Sequence, residues 1–193
     1  MVACLGDSIT AGSPLWDPDP AVRARIGADL DERSQWEHWA ALRHAGVTFR
    51  NYGVYGERTD EIAARLDAAV AGADALVVQG GINDIAQRLE VEPAAENLRA
   101  MVRRGLALGL RVAVADVSPW NAGRPRAKES IRRLNSLIAA LAREEGVPLL
   151  PFHDTLEDPD RPGRMHAEWT SDGDHPSVVG YRRLGEVAAR LAD

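Results

Sequence analysis

The chain has 193 residues, 45% hydrophobic and 27% charged, a composition that excludes disordered and collagen-like sequence and suits one globular domain over residues 1–193. The 23 Lys and Arg against 29 Asp and Glu leave a net charge of −6, which argues against a nucleic-acid partner because such proteins carry a basic face. Cys4 is the single cysteine, so no internal disulfide is possible and burial is expected. No apolar run approaches the ~20 residues of a spanning helix. The first residues carry no basic segment followed by an apolar stretch, so a cytoplasmic protein without membrane insertion is expected.

Short apolar runs alternate with amphipathic stretches along the chain. The run 2–5 is a predicted strand, followed by a loop over 13–20 that holds Pro14, Pro18 and Pro20. Ser34 is the expected cap of a helix over 35–45 that stops at Gly46. A strand over 47–52 precedes a helix over 57–71, with Ile62, Leu66, Ala69 and Val70 on one face and Gly72 at its end. A strand over 75–78 precedes a helix opened by Pro93 and ending near Gly109. The strand 110–117 leads to a helix over 127–145, where Ile131, Leu134, Ile138 and Leu141 form one stripe and Gly146 ends it. A last strand over 147–152 and a last helix over 177–191 complete the pattern. Strands alternating with helices predict an α/β fold, a five-stranded parallel sheet covered on both faces, in the flavodoxin-like order 2-1-3-4-5. In such sheets ligands bind outside the carboxyl ends of the strands.

The residues at those ends share a chemistry. Gly6-Asp7-Ser8-Ile9-Thr10 follows the first run, and Asn51 to Thr59 closes the second. Gly80-Gly81-Ile82-Asn83-Asp84 follows the third, and Asp172-Gly173-Asp174-His175-Pro176 precedes the last helix. Acyl transfer needs a hydroxyl, a base near the working pH, a group that orients the base, and donors for the oxyanion. Ser8 can supply the nucleophile and His175 the base, with Asp172 three residues away to orient the imidazole. The backbone N–H groups of Ser8 and Gly56 and the Asn83 amide can hold the oxyanion. Each signal alone is ordinary turn chemistry: Gly-Asp-Ser is a βα turn with a capping residue, and Asn-Asp and the glycines punctuate loops. Four of them in order on one edge are not. Asp7 and Asp84 are assigned to scaffolding of their turns.

As a set, these blocks resemble the SGNH hydrolases, the GDSL esterase/lipase family. Gly6-Asp7-Ser8-Ile9-Thr10 is similar to the first block and Asn51 to Thr59 to the second, with the oxyanion glycine at Gly56 rather than Gly53. Gly81-Ile82-Asn83-Asp84 is similar to the third, and Asp172 through His175 to the Asp-x-x-His block. The blocks run from the first strand to the last helix. The resemblance implies a three-layer α/β/α sandwich and a serine hydrolase without cofactor or metal, acting on small-molecule esters or thioesters. It implies no single substrate, because members include lysophospholipases, thioesterases and carbohydrate acetylesterases. Two departures stand out: the first block ends Ile-Thr rather than Leu, and Tyr55 precedes the oxyanion glycine where a smaller residue is expected.

Five tryptophans against two phenylalanines draw attention to aromatic walls. Trp36 and Trp39 lie within a predicted helix and are expected to pack in it. Trp16, Trp120 and Trp169 lie on loops and, with Tyr55, are candidates for the pocket wall, the alternative being cover for the sheet edge. The loop 156–164 is charged rather than apolar, which favours a short polar ester over a lipid surface. His38 and His44 are expected on a helix surface, and His153 can approach the site. Two other classes compete. A metal hydrolase would use Asp172, Asp174, His175 and His166, although no His-Glu-x-x-His pattern is present. A non-catalytic binding module could use the same scaffold.

Overall fold

The computed structural model describes residues 1–189. A five-stranded parallel sheet is built from β1 (Val2–Gly6), β2 (Phe49–Gly53), β3 (Ala75–Val78), β4 (Arg111–Ala115) and β5 (Leu149–Leu150), in the expected order β2-β1-β3-β4-β5. Helices α1 (Ser8–Ala11), α2 (Pro20–Ile26) and α3 (Trp36–Arg43) lie between β1 and β2, and α4 (Thr59–Ala64) and α5 (Leu66–Ala69) between β2 and β3. Helices α6 (Ile82–Ala86) and α7 (Val91–Ala107) precede β4, α8 (Ala127–Glu145) precedes β5, and α9 (Phe152–Leu156) and α10 (Val178–Ala188) follow it.

Strand side chains point alternately to two cores, which is why the strands read as unbroken apolar runs. Ala3, Leu5, Leu76, Val78, Val112 and Val114 pack under α4, α5, α7 and α8. Val2, Cys4, Ala75, Val77, Ala113 and Ala115 pack under α3, α9 and α10. Ile131, Leu134, Ile138 and Leu141 are all buried, so the predicted stripe of α8 is its core face. Each such side chain contributes about 1.5–3 kcal/mol by leaving water. The result is the three-layer α/β/α sandwich, and Cys4 is buried as expected. Among the described residues no helix is long and apolar enough to cross a membrane.

Several boundaries differ from expectation. Ser34 does not cap α3: Gln35 occupies the cap position, and the Ser34 hydroxyl is buried without a partner among the described residues. The segment 57–71 breaks at Arg65, whose guanidinium bonds Glu57 and the Tyr52 and Gly6 carbonyls at the ends of β2 and β1. Helix α7 starts two residues before Pro93, because a proline costs no hydrogen bond in a first turn. Likewise α2 opens on Pro20, capped by Asp19, at the end of a stretch expected to be loop throughout. The last strand shrinks to Leu149–Leu150 because Pro148 and Pro151 lack the N–H a ladder needs, and Phe152 joins a helix instead. The expected last helix ended at Leu191, which lies outside the described residues; Ser177 caps its start.

Trp36 packs edge-on against Phe152, with ring centroids 5.9 Å apart. Beside it in α3, Glu37 is 3% exposed and both carboxyl oxygens lack partners among the described residues. Burial pushes its carboxyl well above the ordinary 4.5. The folded state therefore holds a proton that the unfolded chain releases above 4.5, so this group's contribution to stability is full at low pH and is lost as pH rises towards the folded value. Glu37→Gln is expected to stabilise the fold by more at pH 8 than at pH 5, measured by urea unfolding. A variant less stable than wild type at pH 8 would overturn this account.

Candidate active site

The order of strands reverses at β1: the chain passes to β2 on one side, then to β3 on the other. The carboxyl ends of β1 and β3 therefore face a crevice that no crossover covers. Ser8 leaves β1 at the start of α1, and Asn83 leaves β3 near the start of α6.

Asp7 caps α1 by accepting from Ile9 N–H at 2.9 Å. Its other oxygen accepts from Gln79 Nε2 at 3.1 Å, and Gln79 Oε1 accepts from the Thr10 hydroxyl at 2.8 Å. Burial pushes the Asp7 carboxyl up to about 6, against these donors and the nearby His175. Asp84 accepts from Thr59 N–H at 3.1 Å and from its hydroxyl at 2.8 Å, tying the segment after β2 to the segment after β3. Asn97 of α7 donates to the same hydroxyl at 3.0 Å. Both aspartates thus hold turns together, as the sequence suggested. Gln79, Thr59, Asn97 and Arg65 escaped the sequence reading; the one visible sign was a glutamine ending an otherwise apolar run.

The structure brings Ser8, Asp172 and His175 together. His175 Nε2 lies 3.1 Å from Ser8 Oγ, and Nδ1 lies 2.8 Å from Asp172 Oδ2. Asp172 Oδ1 also accepts from the backbone N–H groups of Asp174 and His175, at 2.8 and 2.7 Å. Partial burial works to raise the Asp172 carboxyl, but the His175 ring and these N–H groups outweigh it and hold the group below its ordinary range. Ser8 and His175 are 5% and 8% exposed, so their hydrogen bond is largely shielded from competing water.

The oxyanion candidates are placed as follows. Ser8 N–H is the first of α1 and has no acceptor within the helix. Asn83 Nδ2 gives one hydrogen to Glu57 carbonyl at 2.8 Å, which fixes the amide and leaves its second hydrogen for a ligand. Gly56 adopts φ +81, a left-handed conformation that favours glycine, and lies next to Tyr55 in the turn that Asn83 anchors. Gly53 serves packing instead, since a Cβ there would strike the Ala11 backbone and glycine lets β2 run against α1.

A cleft of about 210 Å³ is lined by Ser8, Asn83 and His175, by apolar Ile9, Ile82 and Ala86, and by Tyr55, Trp120 and Asp174. Tyr55 does not turn away; its ring lies 5.9 Å from the His175 ring. Gly56, Trp16 and Trp169 are not among the lining residues. Trp16 sits under Arg23, 4.9 Å from its guanidinium carbon, and packs on Gly12. Trp169 packs against the His166 ring, with centroids 4.5 Å apart, and the Arg183 guanidinium of α10 lies 3.8 Å from its centroid. Neither tryptophan lines the cleft, so of the two readings open to them, pocket wall or cover, the structure leaves them as cover on the scaffold, and their place as candidate wall residues is corrected. Trp39, within α3, packs against the core under that helix and donates to Arg33 carbonyl.

The metal alternative fares differently. His166 is stacked on Trp169, and His175 faces Asp172 and Ser8, so the four residues expected as ligands do not gather. Among the described residues, His153, Asp154 and Glu157 have ligand atoms within 4.8 Å of one another. They line a separate cavity beside α8, so His153 does not reach the Ser8 cleft.

Solved structures share this architecture. A member of the lipolytic protein G-D-S-L family from Veillonella parvula superposes with TM-score 0.78 at 21% identity, covering 98% of this chain and 96% of that one. The lipase/acylhydrolase from Enterococcus faecalis gives 0.71 at 21% identity, covering 98% and 93%. A single-site variant of Axe2, an acetyl-xylooligosaccharide esterase from Geobacillus, gives 0.76 at 16% identity, covering 98% and 92%. At these identities the likeness establishes the fold. No curated protein matches significantly in sequence. The model of the GDSL-like lipase/acylhydrolase family matches residues 4–183, nearly the whole chain. The chain belongs to the GDSL-like lipase/acylhydrolase family.

Proposed function

We propose that the protein is a single-domain serine esterase that hydrolyses short-chain, acetyl-like esters, with acetylated carbohydrates as the favoured substrate class. The observation that carries this reading is the 3.1 Å contact of His175 Nε2 with Ser8 Oγ, backed by Asp172 on Nδ1. Ser8 Oγ attacks the ester carbonyl as His175 takes its proton. Asp172 keeps the imidazole in the productive tautomer and stabilises the imidazolium. The developing oxyanion is held by Ser8 N–H, Gly56 N–H and the Asn83 amide. His175 then protonates the leaving alkoxide, and water attacks the acyl-enzyme with His175 again as base.

The size and lining of the cleft favour a small acyl group. Its volume of about 210 Å³ falls below the ~300–1,000 Å³ of typical small-molecule pockets. Ile9, Ile82 and Ala86 offer an apolar seat, while the faces of Tyr55 and Trp120 suit a sugar ring at the mouth. The fold shared with an acetyl-xylooligosaccharide esterase is in keeping with this choice.

The first test is hydrolysis of p-nitrophenyl esters from acetate to decanoate. Turnover is expected to fall steeply beyond butyrate; a maximum at longer chains would move the substrate to lysophospholipids or acyl thioesters. Ser8→Ala and His175→Ala are each expected to lower kcat by about 10³-fold or more with the fold retained. Full activity in a folded Ser8→Ala variant would end the serine mechanism. Asn83→Ala is expected to lower kcat by about 10²–10³-fold. Treatment with EDTA is expected to leave turnover unchanged, and a loss restored by a divalent ion would return the metal hydrolase.

A further inference from the structure

The Asp-x-x-His segment carries a second carboxylate, Asp174, that the proposed mechanism does not use. Trp120 Nε1 donates to its Oδ1. The next two residues of the same loop continue the contact: Asn121 N–H and Ala122 N–H both donate to Gly173 carbonyl, at 2.8 and 3.1 Å. The Asn121 side chain meanwhile takes both backbone groups of Met165, at 2.8 and 2.7 Å. Three consecutive residues after β4 therefore grip the segment that ends in His175.

That grip is itself anchored. Asn135 of α8 accepts from Val117 N–H at 2.8 Å and donates to Val117 carbonyl at 2.9 Å, just before the gripping residues. Gly123 backs the indole so closely that a Cβ there would lie 2.8 Å from its ring atoms. The indole is thus backed by Gly123, while Trp120 lines the cleft and its N–H donates to a carboxylate. A hydrogen bond to a carboxylate is shorter and about twice as strong as a neutral one, which suits it to fixing geometry.

We propose that Trp120 is a positioning residue, whose indole N–H on Asp174 holds the Asp172–His175 segment where His175 Nε2 meets Ser8 Oγ. The proposal rests on the serine-esterase reading above. It divides the work of the two carboxylates, with Asp172 orienting the imidazole ring and Asp174 fixing the backbone that carries it. It also separates the indole N–H from the indole face, since only the face is needed for a pocket wall.

The test uses the intact chain with p-nitrophenyl acetate and measures kcat and KM separately. Trp120→Phe keeps a ring in the wall and removes the N–H. It is expected to lower kcat about tenfold, with KM within about twofold. Asp174→Ala is expected to lose as much, and the double variant no more than the worse single one, because both remove the same bond. Asp174→Asn, whose amide oxygen still accepts from the indole, is expected to recover most of the kcat lost in Asp174→Ala. Gly123→Ala, which displaces the ring from behind, is expected to lower kcat as well and carries the test if Trp120→Phe does not fold. Unchanged kcat in Trp120→Phe, losses that multiply in the double variant, or a rise in KM alone would overturn the proposal and leave Trp120 as a wall. Ser8→Ala is run in parallel: turnover there would refute the serine reading itself, whereas a dead Ser8→Ala beside a fully active Trp120→Phe would refute only the positioning role.

Discussion

The hydrogen bond between His175 Nε2 and Ser8 Oγ joins residues 167 positions apart, and the rest of the structure can be understood as the means of making it. A hydroxyl and an imidazole separated by that length of chain have no local reason to meet. The parallel sheet supplies one. Its two faces are both buried, so the strand ends are the places left for reactive side chains, and the reversal of strand order at β1 opens a crevice there. Ser8 is carried by β1, the strand next to the middle of the sheet. His175 arrives from beyond β5, the far edge, and reaches the crevice on a loop.

A loop so far from its strand needs fastening, and the fastening is polar. Asp172 accepts from two backbone N–H groups of its own turn, which makes the turn a compact unit. Thr170 accepts from Gly173 N–H and donates to His175 carbonyl, closing the turn from the other side. On the opposite wall, Asp7 with Gln79 and Asp84 with Thr59 join the segments after β1, β2 and β3 in the same manner. Partnered buried groups of this kind rigidify a site because leaving any one unmade costs about 1–3 kcal/mol. The apolar layers secure the sheet, and the polar links secure the distances between its ends.

Much of the fold was legible. Apolar period and glycine stops located every strand, and α8 matched its expected bounds because its stripe and its end at Gly146 agree. The failures have local physical causes. Ser34 has the chemistry of a cap, but the helix begins beyond it. The segment 57–71 has a helical apolar face, and those residues are buried, yet Arg65 interrupts the helix where its guanidinium meets the carbonyls of β1 and β2. Pro148 and Pro151 were visible and should have shortened the last strand.

For the site, residue types sufficed to single out Ser8, Asp172, His175 and Asn83 as candidates, because acyl transfer admits few side chains, and the structure brings the first three together. Period and spacing by themselves also predicted the parallel sheet, since they depend on patterns within one segment or between successive ones, and the order 2-1-3-4-5 is one that five such strands suit. Only the tertiary structure decided among the aromatic residues. Trp16, Trp120 and Trp169 all sit on loops, and nothing in their neighbours in sequence distinguishes a wall from a cover. Trp120 faces the cleft because Asn135 and Gly123 hold its loop there, while Trp16 and Trp169 rest on arginines elsewhere. Where a loop points is set by contacts with distant segments, and such contacts leave no period to read.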